Sequence, residues 1–390
     1  MTIRPRSALA AALGAALLAG CGAASGVQAA QPARPAALAL AGSAEYSGGT
    51  WAEVMMGGSA AQHNNFWQLF VRPSGATAWK LATPLGMASN GGFAVAALGR
   101  TSLASAIRPS QKLAFTPLAV SGDNGGRWSQ DGLLDAPLAG YPAALAAGPD
   151  GALVALTSAG QVQERAATGA AWSALARERS VAASAAGRGC RLTGLTTAAY
   201  SPSGAALLAG GCARPGQAGI FRSGPGGWAA DGPVLPAALA GQQIDVLQIT
   251  RAPAADVALL LAGHGRTSSL LAAWSDGSGG GWRLSAPYPL HGAVPRSAAA
   301  GGEALGVLLD GGQAISIAGP GAAWRALAAL PAGTAALPAG GATLAAAPGG
   351  GFQALTARGG LLSVWTLGTS LTGWHRSQAL SVTIPYGSSG

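Results

Sequence analysis

Short apolar runs, separated by turn-forming residues, follow one another along most of this chain. Between Tyr141 and Arg177, apolar strands are predicted at 143–147, 152–157 and 162–166, with Gly-, Pro-, Asp- and Ser-containing turns between them. Runs of five or six residues bounded in this way are typical of antiparallel strands joined by tight turns. The pattern therefore predicts an all-β protein.

The same alternation of run and turn returns along the chain, at 195–200 and 205–209, 245–250 and 257–261, 304–309 and 314–318, and 342–347 and 352–356. A tryptophan returns with it every 42 to 56 residues, at Trp79, Trp128, Trp172, Trp228, Trp282, Trp324 and Trp374. A repeat of this length, made of short strands, is typical of one four-stranded blade of a β-propeller. We predict seven blades, or six or eight if a tryptophan lies outside the repeat.

The first and last repeats are irregular. The first one lacks an obvious fourth strand, with 51–56 and 66–72 as its clear candidates, whereas the last one has a surplus strand at 380–384. We predict that the C-terminal strand completes the first blade and closes the ring, because closure of this kind restrains chain ends that otherwise fray.

The N-terminus has the pattern of a signal peptide. Arg4 and Arg6 precede an apolar run from Ala8 to Leu18, which is too short to span a bilayer as a helix. The sequence Leu18-Ala-Gly-Cys21 resembles the signal motif of bacterial lipoproteins, and this resemblance implies lipidation of Cys21; a simple secretory signal is the alternative. We therefore predict a signal peptide at 1–20, an Ala/Pro/Gly-rich tether at 21–42 and a propeller at 43–390. The predicted location is extracytoplasmic, on a bacterial membrane to which the lipid binds.

Composition excludes several classes of function. Only 9% of the residues are charged, with 23 Lys and Arg against 14 Asp and Glu. The basic residues do not form a cluster of the kind that marks nucleic-acid binding, so we predict no nucleic-acid partner. The four histidines lack metal-ligand spacing, and phosphate-binding and nucleophile motifs are absent, so we predict neither a metal nor a cofactor.

Two cysteines remain if Cys21 is lipidated. Cys190 precedes the first strand of the predicted fourth blade, and Cys212 ends its second strand. These positions lie at the same end of two adjacent antiparallel strands, so a disulfide is predicted. A reactive thiol is the alternative.

One turn carries a family resemblance. Ser121, Asp123, Gly125 and Trp128 match the Ser-x-Asp-x-Gly-x-x-Trp pattern of the Asp-box in sialidase-like propellers, and copies near Trp282, Trp172 and Trp324 are degraded. The resemblance implies a structural turn between the third and fourth strands of a blade, on the face opposite the binding cleft. It also makes a diverged glycoside hydrolase an alternative function. However, the sialidase catalytic motifs are missing, and the five glutamates suggest no carboxylate pair of the kind that hydrolysis needs.

Propeller topology places the loops between strands B and C, and between blades, on one face, which is the usual ligand face. Basic residues are assigned to it: Arg100, Arg108, Lys112, Arg214, His264, Arg266, Arg296 and Arg358. Guanidinium groups suit carboxylates and phosphates, so we predict these residues as ligand-binding; solvated loop arginines are the alternative. The function predicted is a non-catalytic binding or scaffolding module for an anionic glycan or a protein. The alternatives are the glycoside hydrolase and an envelope-assembly lipoprotein.

Overall fold

The computed structural model describes residues 34–36, 38, 42–57, 65–84, 92–107, 116–134, 142–252, 255–276, 281–331, 341–347, 349–370 and 372–382. Within these residues the chain forms seven consecutive four-stranded antiparallel meanders, which are the blades of a β-propeller. Strands A to D of each blade follow one another in sequence, with strand A innermost. The predicted seven-bladed all-β fold is confirmed.

Blades 1 to 3 are separate sheets. Blade 1 contains β1 (Ser43–Tyr46), β2 (Gly49–Gly57), β3 (Asn65–Pro73) and β4 (Lys80–Leu81). Blade 2 contains β5 (Phe93–Ala97), β6 (Leu103–Ile107), β7 (Thr116–Ser121) and β8 (Ser129–Leu134). Blade 3 contains β9 (Pro142–Ala147), β10 (Leu153–Thr157), β11 (Gln161–Arg165) and β12 (Trp172–Arg177).

Blades 4 and 5 share one sheet. Blade 4 contains β13 (Leu192–Tyr200), β14 (Ala206–Cys212), β15 (Gly219–Gly224) and β16 (Gly227–Ala230). Blade 5 contains β17 (Ile244–Arg251), β18 (Asp256–Ala262), β19 (Ser269–Ser275) and β20 (Arg283–Leu284), and β21 (Tyr288–Pro289) also pairs with β19. The blades are joined where β14 pairs with the start of β17. A Cβ on Gly211 would lie 2.5 Å from Oδ1 of Asp245, so glycine is needed for this close approach.

Blades 6 and 7 complete the ring. Blade 6 contains β22 (Pro295–Gly301), β23 (Ala304–Leu309), β24 (Ala314–Ile317) and β25 (Arg325–Ala326). Blade 7 contains β26 (Ala342–Ala346), β27 (Phe352–Arg358), β28 (Leu361–Leu367) and β29 (His375–Ser381). The runs at 304–309 and 314–318 are thus strands B and C, because strand A of blade 6 begins earlier.

Within the described residues, helical structure is confined to short connections. Helices α1 (Glu178–Ala182) and α2 (Ala185–Cys190) link blades 3 and 4, and single 3₁₀ turns occupy Pro149–Gly151, Ala237–Leu239, Gly265–Thr267 and Asp310–Gly312. None of the helices in the described residues is long and apolar enough to cross a bilayer.

Apolar packing between neighbouring blades holds the ring together. Each of seven buried clusters in the described structure combines side chains of two successive blades, and one cluster joins blade 7 to blade 1. All these residues lie between Leu38 and Val382. The chain from Ala33 onwards, which forms one compact unit, therefore contains every contact described here that closes the ring.

The recurrent tryptophans connect adjacent blades. Four of them donate their indole N–H to a backbone carbonyl just beyond strand D of the preceding blade: Trp128 to Ala82, Trp282 to Asp231, Trp324 to Ala286 and Trp374 to Ala328. Each of these four tryptophans thus satisfies its own donor and a loop carbonyl while its ring packs at the seam. These contacts account for the recurrence of tryptophan in blades 2, 5, 6 and 7.

The predicted mode of closure is wrong. Leu380 and Ser381 belong to β29, which pairs with β28 as strand D of blade 7, and residues 383–384 lie outside the described part. Blade 1 is complete because β1 supplies its strand A. The short sequence Ser-Ala-Glu-Tyr of β1 has no apolar run, so the pattern did not reveal this strand.

The first described residues also differ from the predicted tether. The backbone N–H of Ala36 donates to Asp245 Oδ2 at 2.9 Å, and that of Leu38 donates to the Leu247 carbonyl at 3.3 Å. Leu38 is buried in the cluster between blades 5 and 6. These residues therefore pack inside the ring, because a leucine and a satisfied backbone amide gain more from burial than from exposure.

The predicted disulfide is confirmed. Cys190 and Cys212 are bonded, with a Cα–Cα distance of 5.2 Å, and both side chains are buried. The bond ties the end of α2 to the last residue of β14.

Replacing both Cys190 and Cys212 by alanine should lower the free energy of unfolding by about 2 to 3 kcal/mol, because the bond closes a loop of 22 residues in the unfolded chain. Urea unfolding without reductant measures this. A Cys21→Ala variant is the control, and a double variant as stable as the native chain would contradict the prediction.

Candidate functional site

The candidate site is a cavity of about 580 Å³ in the centre of the ring. Its wall consists of the A strands of blades 1 to 5, namely β1, β5, β9, β13 and β17. This volume lies in the usual range for small-ligand pockets. Strand A is innermost in every blade, so side chains of these five strands meet although they are far apart in sequence.

The cavity extends to the turns between strands A and B. Its lining reaches Ser47, Gly99, Gly148 and Arg251 at those turns, while Leu38 lines its other end. Pro35 packs against the β13–β14 end of blade 4, where a Cβ on Gly194 would meet it at 2.9 Å. Pro35 and Leu38 therefore lie towards the end of the channel opposite these turns. A ligand would enter from the face that carries the A–B turns.

Two neighbouring β-bulges direct polar groups into this apolar wall. β13 shifts register between Leu195 and Thr197, and β17 shifts between Val246 and Gln248. Bulges rotate the side chains that follow them, and they are frequent next to binding sites. They bring Thr196, Gln248 and Thr250 to the cavity, whereas β5 and β9 contribute mainly alanine.

Gln248 is the most informative residue of the site. Its side chain is 6% exposed, and its Nε2 donates to Thr250 Oγ1 at 2.5 Å. Its Oε1 is buried without a hydrogen-bond partner in the structure. A buried acceptor without a partner costs about 1–3 kcal/mol, so Gln248 is a polar residue that the wall holds at a cost in stability.

Glu45 and Tyr46 line the side of the cavity formed by blade 1. Burial raises the pKa of the Glu45 carboxyl group, although a hydrogen bond from the Gly302 backbone and the charge of Arg72 oppose this rise. The Tyr46 hydroxyl donates to Asn124 Oδ1 at 2.7 Å, and burial raises its pKa. Tyr46 is thus held in place by blade 2.

The predicted ligand-binding residues do not line this cavity. Arg214, His264 and Arg266 lie exposed in B–C loops, Arg358 lies at the end of β27, and Arg296 is the second residue of β22. They occupy four blades on the face opposite the cavity entrance. Arg108 and Lys112, like Cys21, lie outside the described residues.

The prediction for Arg100 is wrong. This residue lies in the turn between β5 and β6, an A–B turn, and not in the B–C loop of blade 2. Strand A of the second blade begins at Phe93 and strand B only at Leu103, so Arg100 precedes strand B. Arg100 is therefore on the same face as the cavity entrance.

The turn from Ser121 to Trp128 connects β7 and β8 and is stabilised internally. Ser121 Oγ donates to Asp123 Oδ1 and accepts from the Gly125 backbone, both at 2.8 Å. Asp123 Oδ1 also accepts from the Arg127 backbone at 2.8 Å, and this bond lowers the pKa of the exposed Asp123 carboxyl group. Gly125 has a φ of 79°, which glycine adopts without strain. These contacts give the turn a structural role.

The lining residues that sequence reasoning missed had a weak signal. Strand A reads Ala-Ala-Leu-Ala-Ala in blade 3, but it contains Thr196 and Thr197 in blade 4 and Gln248 and Thr250 in blade 5. Polar residues inside an apolar inner strand mark these positions. Among the described residues, no group of three or more His, Cys, Asp or Glu side chains is placed to hold a metal ion.

Comparison with known proteins supports the fold. The chain matches no protein-family model and no curated protein. It is similar in structure to a putative 6-phosphogluconolactonase from Bacteroides uniformis, with 11% identity, coverage of 85% of this chain and 97% of that chain, and a TM-score of 0.51. At this identity the likeness shows the fold alone.

Two further similar structures have lower scores. One is YCF48 bound to a D1 peptide, with 14% identity, coverage of 90% of this chain and 96% of that chain, and a TM-score of 0.44. The other is a fucose-recognising lectin from Aleuria aurantia with a six-bladed β-propeller, with 12% identity, coverage of 89% and 96%, and a TM-score of 0.41.

Proposed function

We propose that this protein is an extracytoplasmic, lipid-anchored β-propeller that binds a ligand in its central cavity without catalysis. The observation that carries the proposal is the central cavity of about 580 Å³, whose mainly apolar wall includes the polar side chains of Gln248 and Thr250. A ligand with an apolar body and an N–H or O–H donor, such as a neutral glycan or a peptide, suits this wall.

The proposed location rests on two features. The first is the N-terminal sequence, in which an apolar run precedes Cys21. The second is the Cys190–Cys212 disulfide, because such bonds persist in oxidising compartments outside the cytoplasm. We propose that Cys21 carries the lipid.

The cavity chemistry favours binding over glycoside hydrolysis. Glu45 is the only carboxylate among its described lining residues, and hydrolysis by paired carboxylates needs two within about 5 to 9.5 Å.

Replacing Gln248 by methionine should weaken ligand binding about tenfold or more, because it removes the polar amide from the cavity wall while keeping the side-chain length. We would screen neutral oligosaccharides and short peptides by thermal shift and measure the affinity of each hit by calorimetry. The matched control is Gln313→Met, an exposed position in a B–C turn. Hits that bind both variants equally, or a screen without hits, would contradict the cavity as the ligand site.

A further inference from the structure

The face opposite the cavity entrance has an unbalanced charge. We call it the arginine face and define it by its nine exposed arginines: Arg34, Arg177, Arg179, Arg188, Arg191, Arg214, Arg266, Arg296 and Arg358. Arg34 precedes blade 1, and the other eight are distributed over blades 3 to 7, in B–C loops, in connections between blades and at strand ends on this side. The two ion pairs of the described structure, Arg222–Asp231 and Arg283–Glu303, involve none of them.

The carboxylates on this side are already engaged. Glu178 accepts from the Leu195 backbone at 2.9 Å, Asp245 from that of Ala36, and Asp310 from that of Val294 at 2.7 Å. Asp231 pairs with Arg222 at 2.8 Å. The nine exposed arginines thus outnumber these four carboxylates, none of which is exposed, so the arginine face carries a net positive charge.

The cavity face differs in this respect. Exposed carboxylates accompany its exposed cations: Asp123, Asp150, Asp276 and Glu303 lie on this side together with Lys80, Arg100, Arg127, Arg251, Arg283, Arg325 and Arg376. Both faces are therefore positive, but the excess of exposed cations over exposed carboxylates is larger on the arginine face.

The chain enters the ring at the arginine face. The Arg34 guanidinium donates to the Ser158 carbonyl, in the B–C turn of blade 3, at 3.3 and 3.4 Å. Cys21 precedes Arg34 by thirteen residues, which span at most about 45 Å when fully extended. A lipid on Cys21 would keep the arginine face within that distance of the bilayer.

We propose that the arginine face docks on an anionic membrane surface. This inference rests on the proposed lipid anchor, which would hold the face beside a bilayer. Cations spread over five blades suit a planar array of anionic headgroups, which attracts basic residues within about one Debye length. Docking in this orientation turns the cavity entrance away from the membrane, so that ligands reach it from the compartment.

The test measures binding to vesicles by the chain that begins at Ala33, so that the outcome does not depend on lipidation. We expect binding to phosphatidylcholine vesicles containing 30% phosphatidylglycerol, no binding to pure phosphatidylcholine, and loss of binding at high salt. Each cation at an anionic surface strengthens binding about fivefold, so Arg214→Gln/Arg266→Gln/Arg358→Gln should weaken it about 100-fold.

The matched control removes the same charge from the cavity face. Arg100→Gln/Arg127→Gln/Arg325→Gln should bind anionic vesicles within about threefold of the native affinity. Equal losses in the two triple variants, or no binding of the native chain to anionic vesicles, would overturn the proposal. Tighter binding to heparin than to anionic vesicles would overturn it in favour of an acidic glycan. Gln248→Met should leave vesicle binding unchanged, which separates this proposal from that for the cavity.

Discussion

Gln353→Leu is expected to lower the free energy of unfolding by about 4 kcal/mol, because it breaks the polar contacts that close the ring. Gln353 Oε1 accepts from Arg72 Nη1 and, at 2.7 Å, from the indole N–H of Trp79. All three side chains are buried. Leucine has no acceptor, so the Arg72 guanidinium and the Trp79 indole N–H would each lose a hydrogen-bond acceptor in a buried position.

The position of Arg72 makes this loss severe. Arg72 also donates to Thr50 Oγ1 at 3.1 Å and to the Ala346 carbonyl at 2.8 Å, and its guanidinium lies 5.0 Å from the centre of the Trp79 ring. Burial lowers its pKa to about 10, opposed by the charge of Glu45, so Arg72 stays charged at neutral pH. A buried charge that loses a hydrogen bond retains its full desolvation cost.

Urea unfolding followed by tryptophan fluorescence measures the effect. Gln313→Leu makes the same chemical change at an exposed position and should alter stability by less than about 0.5 kcal/mol. Equal effects of the two substitutions would show that the seam between blades 7 and 1 does not depend on Gln353.

Between pH 4 and pH 7, the free energy of unfolding of Asp256→Asn should rise relative to that of the native chain by about 2.5 kcal/mol. Asp256 is 1% exposed, and neither carboxylate oxygen has a hydrogen-bond partner. Burial raises its pKa to about 6, despite the opposing charges of Arg251 and Arg222, and Asp231 adds to the rise.

The sign follows from proton binding. Between the ordinary pKa near 4 and the folded value near 6, the native state holds a proton that the unfolded state has released. The stability that Asp256 contributes is therefore present at low pH and is lost as pH rises through about 6. Asparagine does not titrate in this range, so the variant lacks this loss.

Chemical denaturation at half-unit steps from pH 4 to pH 8 tests this prediction. Asp150→Asn is the control, because Asp150 is exposed and has a φ of 54°, which asparagine tolerates. If the difference in the free energy of unfolding between the native chain and Asp256→Asn does not change with pH, Asp256 is not protonated in the folded protein.

The sequence by itself determined the all-β class, the seven blades and the disulfide, because each depends on local signals. Strand length, turn residues and a tryptophan once per blade recur within each repeat, and Trp128 and Trp374 show why, since each indole connects two successive blades. The pairing of Cys190 with Cys212 followed from the ends of adjacent strands. The polar strand β1 lacked such a signal, so the wrong strand was chosen to close the ring.

Only the tertiary structure decided where the site lies. Leu38 lines one end of the channel, although its surroundings in sequence read as a tether, because its partners in blades 5 and 6 are about 200 residues or more away. Gln248 became a candidate only when β17 was seen to face β1, β5, β9 and β13 across the channel. Periodicity identifies repeated local structure, whereas a central cavity depends on contacts between residues that no repeat relates.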